Sequence, residues 1–252
     1  MSAAPLLDAR VARKQYGARA VLADVPLQVA RGEIVCVVGP SGCGKSTLLR
    51  ILAGLDADYR GSVRLDGVAL DGPSARIGVI FQEPRLLPWL TVADNVGFAA
   101  GPHGGRAPEV ARLLAEVGLD GSAAALPAAL SGGMAQRAAI ARGLFGEPDL
   151  LLLDEPFSAV DVLTRMRLQS LLLDVVQRHG MAAVLVTHDL DEALYLGDRV
   201  VLLAANPGRV EDAFAVDLPR PRDRRGPALA ALRDRLLGAF ERFQDVGAAS
   251  VA

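Results

Sequence analysis

The sequence predicts an α/β fold: a parallel-sheet core, antiparallel strands at the N-terminal end and an inserted helical segment. Three observations carry this. Short, wholly apolar runs at Ile34–Val38, 150–153 and 182–186 have the character of strands buried on both faces of a parallel sheet. Segments with apolar residues at helical spacing alternate with those runs. From about 84 to 148 the strand-like runs stop and helical spacing takes over.

Taken in order, residues 6–29 alternate loosely between apolar and polar and break at Tyr16-Gly17, which predicts one or two antiparallel strands. Ile34–Val38 then runs into glycines, and from Lys45 the spacing of Leu48, Leu49 and Leu52 predicts a helix ending near Gly54. Residues 61–65 and 77–81 predict short strands between Gly/Pro turns. The insertion comprises 91–98, a Gly/Pro-rich loop over 101–105, Val110, Leu113, Leu114 and Val117 at helical spacing, and a helix over 133–144. Residues 150–153 predict a buried strand ending in Asp154-Glu155, 163–176 a helix, and 182–186 another strand. Asp189, with Glu192 three residues on, opens a helix over Leu190–Leu196 in the manner of a capping box. A strand over 200–204, a basic run over 220–225 and an amphipathic helix over 229–243 complete the chain.

Composition narrows the function classes. With 252 residues, a length prior of ~150 per domain allows one or two domains and a substantial core. A net charge of −2 provides no global basic field for nucleic acid. Hydrophobic residues make up 51%, but much of that is alanine, and no apolar run approaches the ~20 residues of a spanning helix. The first ten residues lack a basic-then-apolar export pattern, and two cysteines without metal-ligand spacing, Cys36 and Cys43, fit a reducing compartment. The expected location is therefore cytoplasmic. Of 27 Lys and Arg residues only Lys14 and Lys45 are lysine, so each calls for a reason.

Lys45 has one. Gly39-Pro40-Ser41-Gly42-Cys43-Gly44-Lys45-Ser46-Thr47 fits the phosphate-loop pattern G-x-x-x-x-G-K-S/T, placed after a buried strand and at the start of a helix. Glycines let successive N–H groups approach phosphate oxygens, with the helix N-terminus behind them. Lys45 is assigned to the β/γ-phosphates, Ser46 to Mg2+ and Thr47 to the α-phosphate. A guanidinium fork would not fit where a tight loop needs a slim stem and a compact charge. Asp154 ends an apolar strand and takes the metal-side carboxylate role, and Glu155 is placed to polarise a water against the γ-phosphate. Cys43 is a small residue turned away from phosphate, although a bulky thiol reagent there is expected to block ATP; Cys36 is inert packing.

Leu130-Ser131-Gly132-Gly133-Met134-Ala135-Gln136-Arg137 opens a second helix with a Ser, which in itself is also an ordinary N-cap. Together with the phosphate loop and Asp154-Glu155, it resembles the signature of ATP-binding cassette (ABC) ATPases over almost the whole chain. The resemblance implies the ABC ATPase fold as a single domain over 1–252. Its nucleotide-binding core with the β subdomain takes 1–83 and 149–218, the helical signature subdomain 84–148, and a C-terminal helix 219–252. It implies a head-to-tail homodimer in which Ser131, Gly132, Gly133 and Gln136 of one copy close over the ATP held by the other. It further implies that Tyr16 stacks on adenine, the alternative being a core tyrosine. Gln82 then touches Mg2+ and the attacking water, and Mg2+ is held by Ser46, Gln82 and Asp154. The loop through Asp161 crosses the dimer, with Val160 where leucine is usual, and His188 contacts the γ-phosphate. Glu155, His188 and Gln82 form the catalytic set, with ATP and Mg2+ as substrate and cofactor.

Residues 81–95, which include Trp89, together with 153–165, 206–210 and 219–222, are similar to the nitrate/sulfonate/taurine importer subfamily. Met134-Ala135-Gln136-Arg137 is most similar to ATPases for aliphatic sulfonates. That implies a peripheral protein on the cytoplasmic face of a bacterial membrane, beneath transmembrane permease subunits and served indirectly by a substrate-binding protein. The apolar residues near Trp89 and Leu86 suit a permease helix, unless they pack inside the helical lobe. The distance from the last motif to Ala252 leaves no expected room for a regulatory β-domain. A soluble cassette ATPase of DNA repair or translation is the alternative, with only a short basic run to support nucleic-acid binding. A phosphate-loop kinase lacks an acceptor site and does not account for the signature or His188. Lys14 either borders the adenine site or is solvated.

Overall fold

The computed structural model describes residues 4–249, so the outermost positions of the expected domain bounds, 1–3 and 250–252, lie outside the described residues. In chain order the strands and helices are β1 (Leu7–Tyr16), β2 (Arg19–Val29), β3 (Ile34–Val38), α1 (Lys45–Leu52), β4 (Arg60–Leu65), β5 (Val68–Ala69) and β6 (Ile77–Ile80). They continue with α2 (Val92–Val96), α3 (Pro108–Glu116), α4 (Gly132–Leu144), β7 (Leu150–Asp154), α5 (Val162–His179) and β8 (Ala182–Thr187). The last are α6 (Leu190–Leu196), β9 (Arg199–Ala204), β10 (Arg209–Ala215) and α7 (Pro227–Ala249). Two compact units divide them, one from Met1–Ser74 with Ala182–Ala252 and one from Ala75–Met181.

The first unit holds an antiparallel sheet, β2-β1-β4-β5, and the strands β10-β9-β3-β8. β1 buries alternate residues because successive side chains of a strand point to opposite faces. In the second group, β9, β3 and β8 run parallel and β10 returns antiparallel along the edge. Every residue of β3 and β8 is buried, which explains the apolar run of β3 and of β8 up to its last residue, Thr187. β5 and β10 are not legible as strands in the sequence. β5 is two exposed residues, and β10 is an edge strand of mostly exposed side chains without an apolar run.

The second unit pairs β6 with β7 in parallel and packs α4 against α2, α3, α5 and β6. It takes in more than the expected helical segment, because β6, β7 and α5 belong to the same compact unit. Helix starts follow local chemistry. Thr91 Oγ1 accepts from the Asp94 N–H at α2, and Asp161 Oδ1 accepts from the Thr164 N–H at α5. In the first unit Asp189 caps α6 through the Glu192 N–H, as its spacing predicts. The Asp189 N–H itself donates to Thr187 Oγ1, so the returning half of the expected capping box is taken by a threonine.

Candidate active site

The phosphate loop is built by close approach. Gly44, the residue before α1, has φ 103°, and a Cβ there would lie 2.6 Å from Leu22 Cδ2. A Cβ on Gly39 would lie 2.4 Å from the Leu203 carbonyl oxygen. Only glycine satisfies both positions. No side chain caps the start of α1 and its first turn carries no acid, so the positive end of the helix faces the loop unopposed. Lys45 is buried, and its Nζ donates to the carbonyl oxygens of Gly39 at 2.8 Å and Pro40 at 3.1 Å. Ser41 and Ser46 are exposed, and Thr47 is half-buried. Cys43 and Cys36 are both buried, and burial pushes the Cys36 thiol far above its usual range. Cys43 is 1% exposed, which argues against ready access of a thiol reagent to the loop.

His188 stands at the same edge. Val38 of β3 is in register with Thr187 of β8, so Gly39 and His188 leave neighbouring parallel strands side by side at their carboxyl ends, where open α/β sheets bind ligands. His188 is exposed.

Tyr16 ends β1 and is 49% exposed, which excludes the core-tyrosine reading. Its hydroxyl donates to Asp56 Oδ2 at 3.2 Å. Lys14 is 2% exposed rather than solvated. Its Nζ donates to Asp56 Oδ1 at 2.8 Å and to the Asp58 carbonyl oxygen at 2.7 Å, and it lies 4.6 Å from the centroid of the Tyr16 ring. Asp56 and Asp58 have no sequence signal beyond a polar turn.

In the second unit, Ile80 of β6 pairs in register with Leu153 of β7. Gln82 and the pair Asp154-Glu155 therefore leave the two strands at one edge. Gln82 is exposed, and both acids are half-buried. Glu155 adopts φ 43°, a left-handed conformation that costs a non-glycine residue about 1–3 kcal/mol and is concentrated at functional sites. The Ser158 N–H and hydroxyl both donate to its carbonyl oxygen, which closes the turn after the strand.

Ser131 is exposed and caps α4, its Oγ accepting from the Met134 N–H at 3.3 Å. Ser131, Gly132 and Gly133 line a cavity of about 680 Å³ together with Val160, Asp161 and Thr164, so the signature and the Asp161 loop share one concave surface. Hydrogen bonds from Thr164, first from its side chain and then from its backbone, hold the Asp161 carboxyl below the usual carboxylate range. Gln136 departs from expectation. It is 3% exposed and its Nε2 has no hydrogen-bond partner, so a direct contact with nucleotide is corrected to an interior position on α4.

Trp89 is 72% exposed, so it does not pack inside the lobe. The loop that presents it is held by Asn95, a residue the sequence does not flag, which is fully buried. Asn95 Oδ1 accepts from the Leu87 N–H, and its Nδ2 donates to the carbonyl oxygens of Leu87, Leu90 and Thr91. Three of the four arginines of the basic run near the C-terminal end are spent internally, and Arg225 is exposed. Arg222 is buried, donating to the carbonyl oxygens of Leu194, Tyr195, Gly197 and Val216, Arg220 pairs with Asp198, and Arg224 lies over the Tyr195 ring.

Among the described residues no group of three or more His, Cys, Asp or Glu is gathered to hold a metal. Ser46, an exposed residue within the phosphate loop, carries a hydroxyl of the oxygen-donor class that suits a hard cation taking most of its oxygens from nucleotide phosphates and water. A glycine loop at the carboxyl edge of a parallel sheet, an acid-ended strand and a serine-capped signature helix define a nucleotide-hydrolysing cassette. The chain belongs to the ABC transporter family, whose model matches residues 22–158, and it binds and hydrolyses ATP as such cassettes do. It is similar, at 78% identity over 97% of this chain and 89% of the relative, to the aliphatic sulfonates import ATP-binding protein SsuB 2 of Burkholderia lata. The protein of the same name from Burkholderia cenocepacia is 76% identical over 99% of this chain and 93% of its own length. Among solved structures, the ATP-binding cassette MJ0796, a dimer in a post-hydrolysis state bound to ADP and Pi, matches with a TM-score of 0.71. The identity is 30%, over 84% of this chain and all of that one.

Proposed function

We propose that this chain is the ATP-hydrolysing subunit of an importer for aliphatic sulfonates. The observation that carries the reading is the phosphate loop, with close-approach glycines and a buried lysine at the uncapped start of α1. The importer assignment rests on relatives at 76–78% identity that are named for aliphatic sulfonate import. The soluble-machine alternative is disfavoured because three of the four arginines in the basic run are bound to backbone carbonyls, to Asp198 and to a tyrosine ring, which leaves only Arg225 exposed.

In this reading the N–H groups at the start of α1 and the Lys45 ammonium hold the ATP phosphates, and Tyr16 stacks on adenine. Ser46, Gln82 and Asp154 would ligate Mg2+, which when bound neutralises charge on the phosphate oxygens. Glu155 accepts a proton from water as the water oxygen bonds to the γ-phosphorus and the bond to the ADP oxygen breaks. His188 and Gln82 orient γ-phosphate and water, so positioning and electrostatics supply most of the acceleration. Two copies pair head to tail, and Ser131, Gly132 and Gly133 of one copy cover the nucleotide of the other. The exposed Trp89 loop receives a cytoplasmic helix of the permease, which puts the protein on the inner face of the membrane. A substrate-binding protein outside completes the system.

Complementation tests the whole reading. In a strain lacking this chain, the wild-type copy should restore growth on an alkanesulfonate as sole sulfur source. Glu155→Gln should not restore growth, while the purified variant binds ATP and accumulates as a dimer. Growth supported by Glu155→Gln, or an unimpaired ATPase rate, would remove Glu155 from its role. Normal sulfonate growth without any copy would remove the substrate class.

A further inference from the structure

One of the two lysines serves the phosphate loop; the other is buried where a solvated surface charge was a fair expectation. Burial of Lys14 is costly, since a desolvated ammonium and its long stem lose both hydration and rotamer freedom. The surroundings offset this cost. An ammonium has three donors, and three acceptors face it: Asp56 Oδ1 at 2.8 Å, the Asp58 carbonyl oxygen at 2.7 Å and Asp58 Oδ2 at 3.4 Å. A planar guanidinium has no such arrangement of donors, which explains lysine in a chain that otherwise uses arginine. Burial pulls the Lys14 pKa down, but the hydrogen bond and charge of Asp56 and the charge of Asp58 raise it above the ordinary lysine value, so the group stays charged.

The same cluster grips Tyr16 twice. Asp56 Oδ2 accepts from the Tyr16 hydroxyl, and the Lys14 ammonium lies over the ring, 4.6 Å from its centroid. The ring is half exposed, so one face carries the cation while the ring still presents surface to solvent. An aromatic side chain at the end of a strand ordinarily samples several rotamers, whereas this one is anchored at its hydroxyl and over its face.

We propose that Lys14 and Asp56 are positioning residues that lock Tyr16 as a one-sided platform for the nucleotide base. The inference rests on the reading of Tyr16 as the adenine-stacking residue and adds the device that holds it. Pre-organisation of the ring removes an ordering cost from binding, so loss of the cluster weakens recognition of the base and leaves recognition of the phosphates alone. The full chain is titrated with ATP and with inorganic tripolyphosphate, which has the phosphates and no base. Stacking of a base on an aromatic ring is commonly worth enough to change affinity about tenfold. Tyr16→Ala should weaken ATP by about that factor and leave tripolyphosphate unchanged. Lys14→Met should weaken ATP several-fold, again with tripolyphosphate unchanged, and Tyr16→Phe, which loses only the bond to Asp56, should fall between wild type and Tyr16→Ala.

If Tyr16→Ala lowers ATP affinity and Lys14→Met does not, the positioning role is overturned while the platform stands. If Tyr16→Ala has no effect, the platform reading itself falls and takes the inference with it. Equal loss of both ligands in Lys14→Met would mark general damage to the unit and also overturn the proposal. Should Lys14→Met fail to fold, Asp56→Asn decides by the same ratio: a selective loss of ATP supports the proposal, and an unchanged ratio rejects it.

Discussion

Lys14 and Asp56 make a pH argument at the scale of single residues. Burial alone would raise the Asp56 pKa, but the Lys14 hydrogen bond, the Asp58 backbone N–H and the lysine charge bring it below the ordinary carboxylate value. A carboxyl depressed by folding contributes stability that is present above its unfolded pKa and lost as pH falls through the folded one. Lys14, raised by folding, contributes stability that is complete below the ordinary lysine value of 10.5 and lost only as pH climbs past it. The pair therefore stabilises across the whole neutral range. In urea unfolding, the stability gap between wild type and Lys14→Met should be constant from about pH 5 to 9 and close below about pH 4. A gap that persists unchanged at pH 3 would contradict the pairing. Single residues also show what a sequence hides: Lys14 and Asp56 are 42 positions apart, and no local pattern announces that one will neutralise the other.

Elements were far more legible. Buried strands show themselves by composition, and helix starts by a Thr, Ser or Asp whose oxygen takes the N–H three residues on, because those causes lie within a few residues of their effects. The loop before α2 is a different case. It has no regular structure, and its shape depends on the four hydrogen bonds of the buried Asn95 to Leu87, Leu90 and Thr91. Asn95→Ala leaves one N–H and three carbonyl oxygens without that partner, a loss of about 1–3 kcal/mol or more. Urea unfolding should show that loss, and limited proteolysis should reveal a new cut near residues 86–90. A variant as stable and as protease-resistant as wild type would mean that the loop is held by its apolar contacts instead.

At the scale of the molecule, the candidate nucleotide residues lie at strand ends and in glycine loops, whereas Trp89 is an exposed apolar residue on a loop held by Asn95. Trp89→Glu should leave ATP binding by the isolated chain within about twofold of wild type, since Trp89 lies in none of the nucleotide motifs. It should also abolish co-purification with the permease and growth on the sulfonate. Unaffected co-purification would assign the partner surface elsewhere.

The order of the motifs, the phosphate-loop pattern, the acid-ended strand and the serine start of the signature helix were legible in the sequence alone, since each is a local pattern of neighbouring residues; the close approach of the phosphate-loop glycines to Leu22 and Leu203 was not. The tertiary structure alone decided which polar and aromatic side chains are inside. Gln136 and Asn95 are buried while Trp89 is exposed, and Arg220, Arg222 and Arg224 are spent on Asp198, backbone carbonyls and Tyr195. Burial of Arg222 is stable because the carbonyl oxygens of Leu194, Tyr195 and Gly197, 25–28 positions away, supply its partners, and these reach it only once the chain has folded.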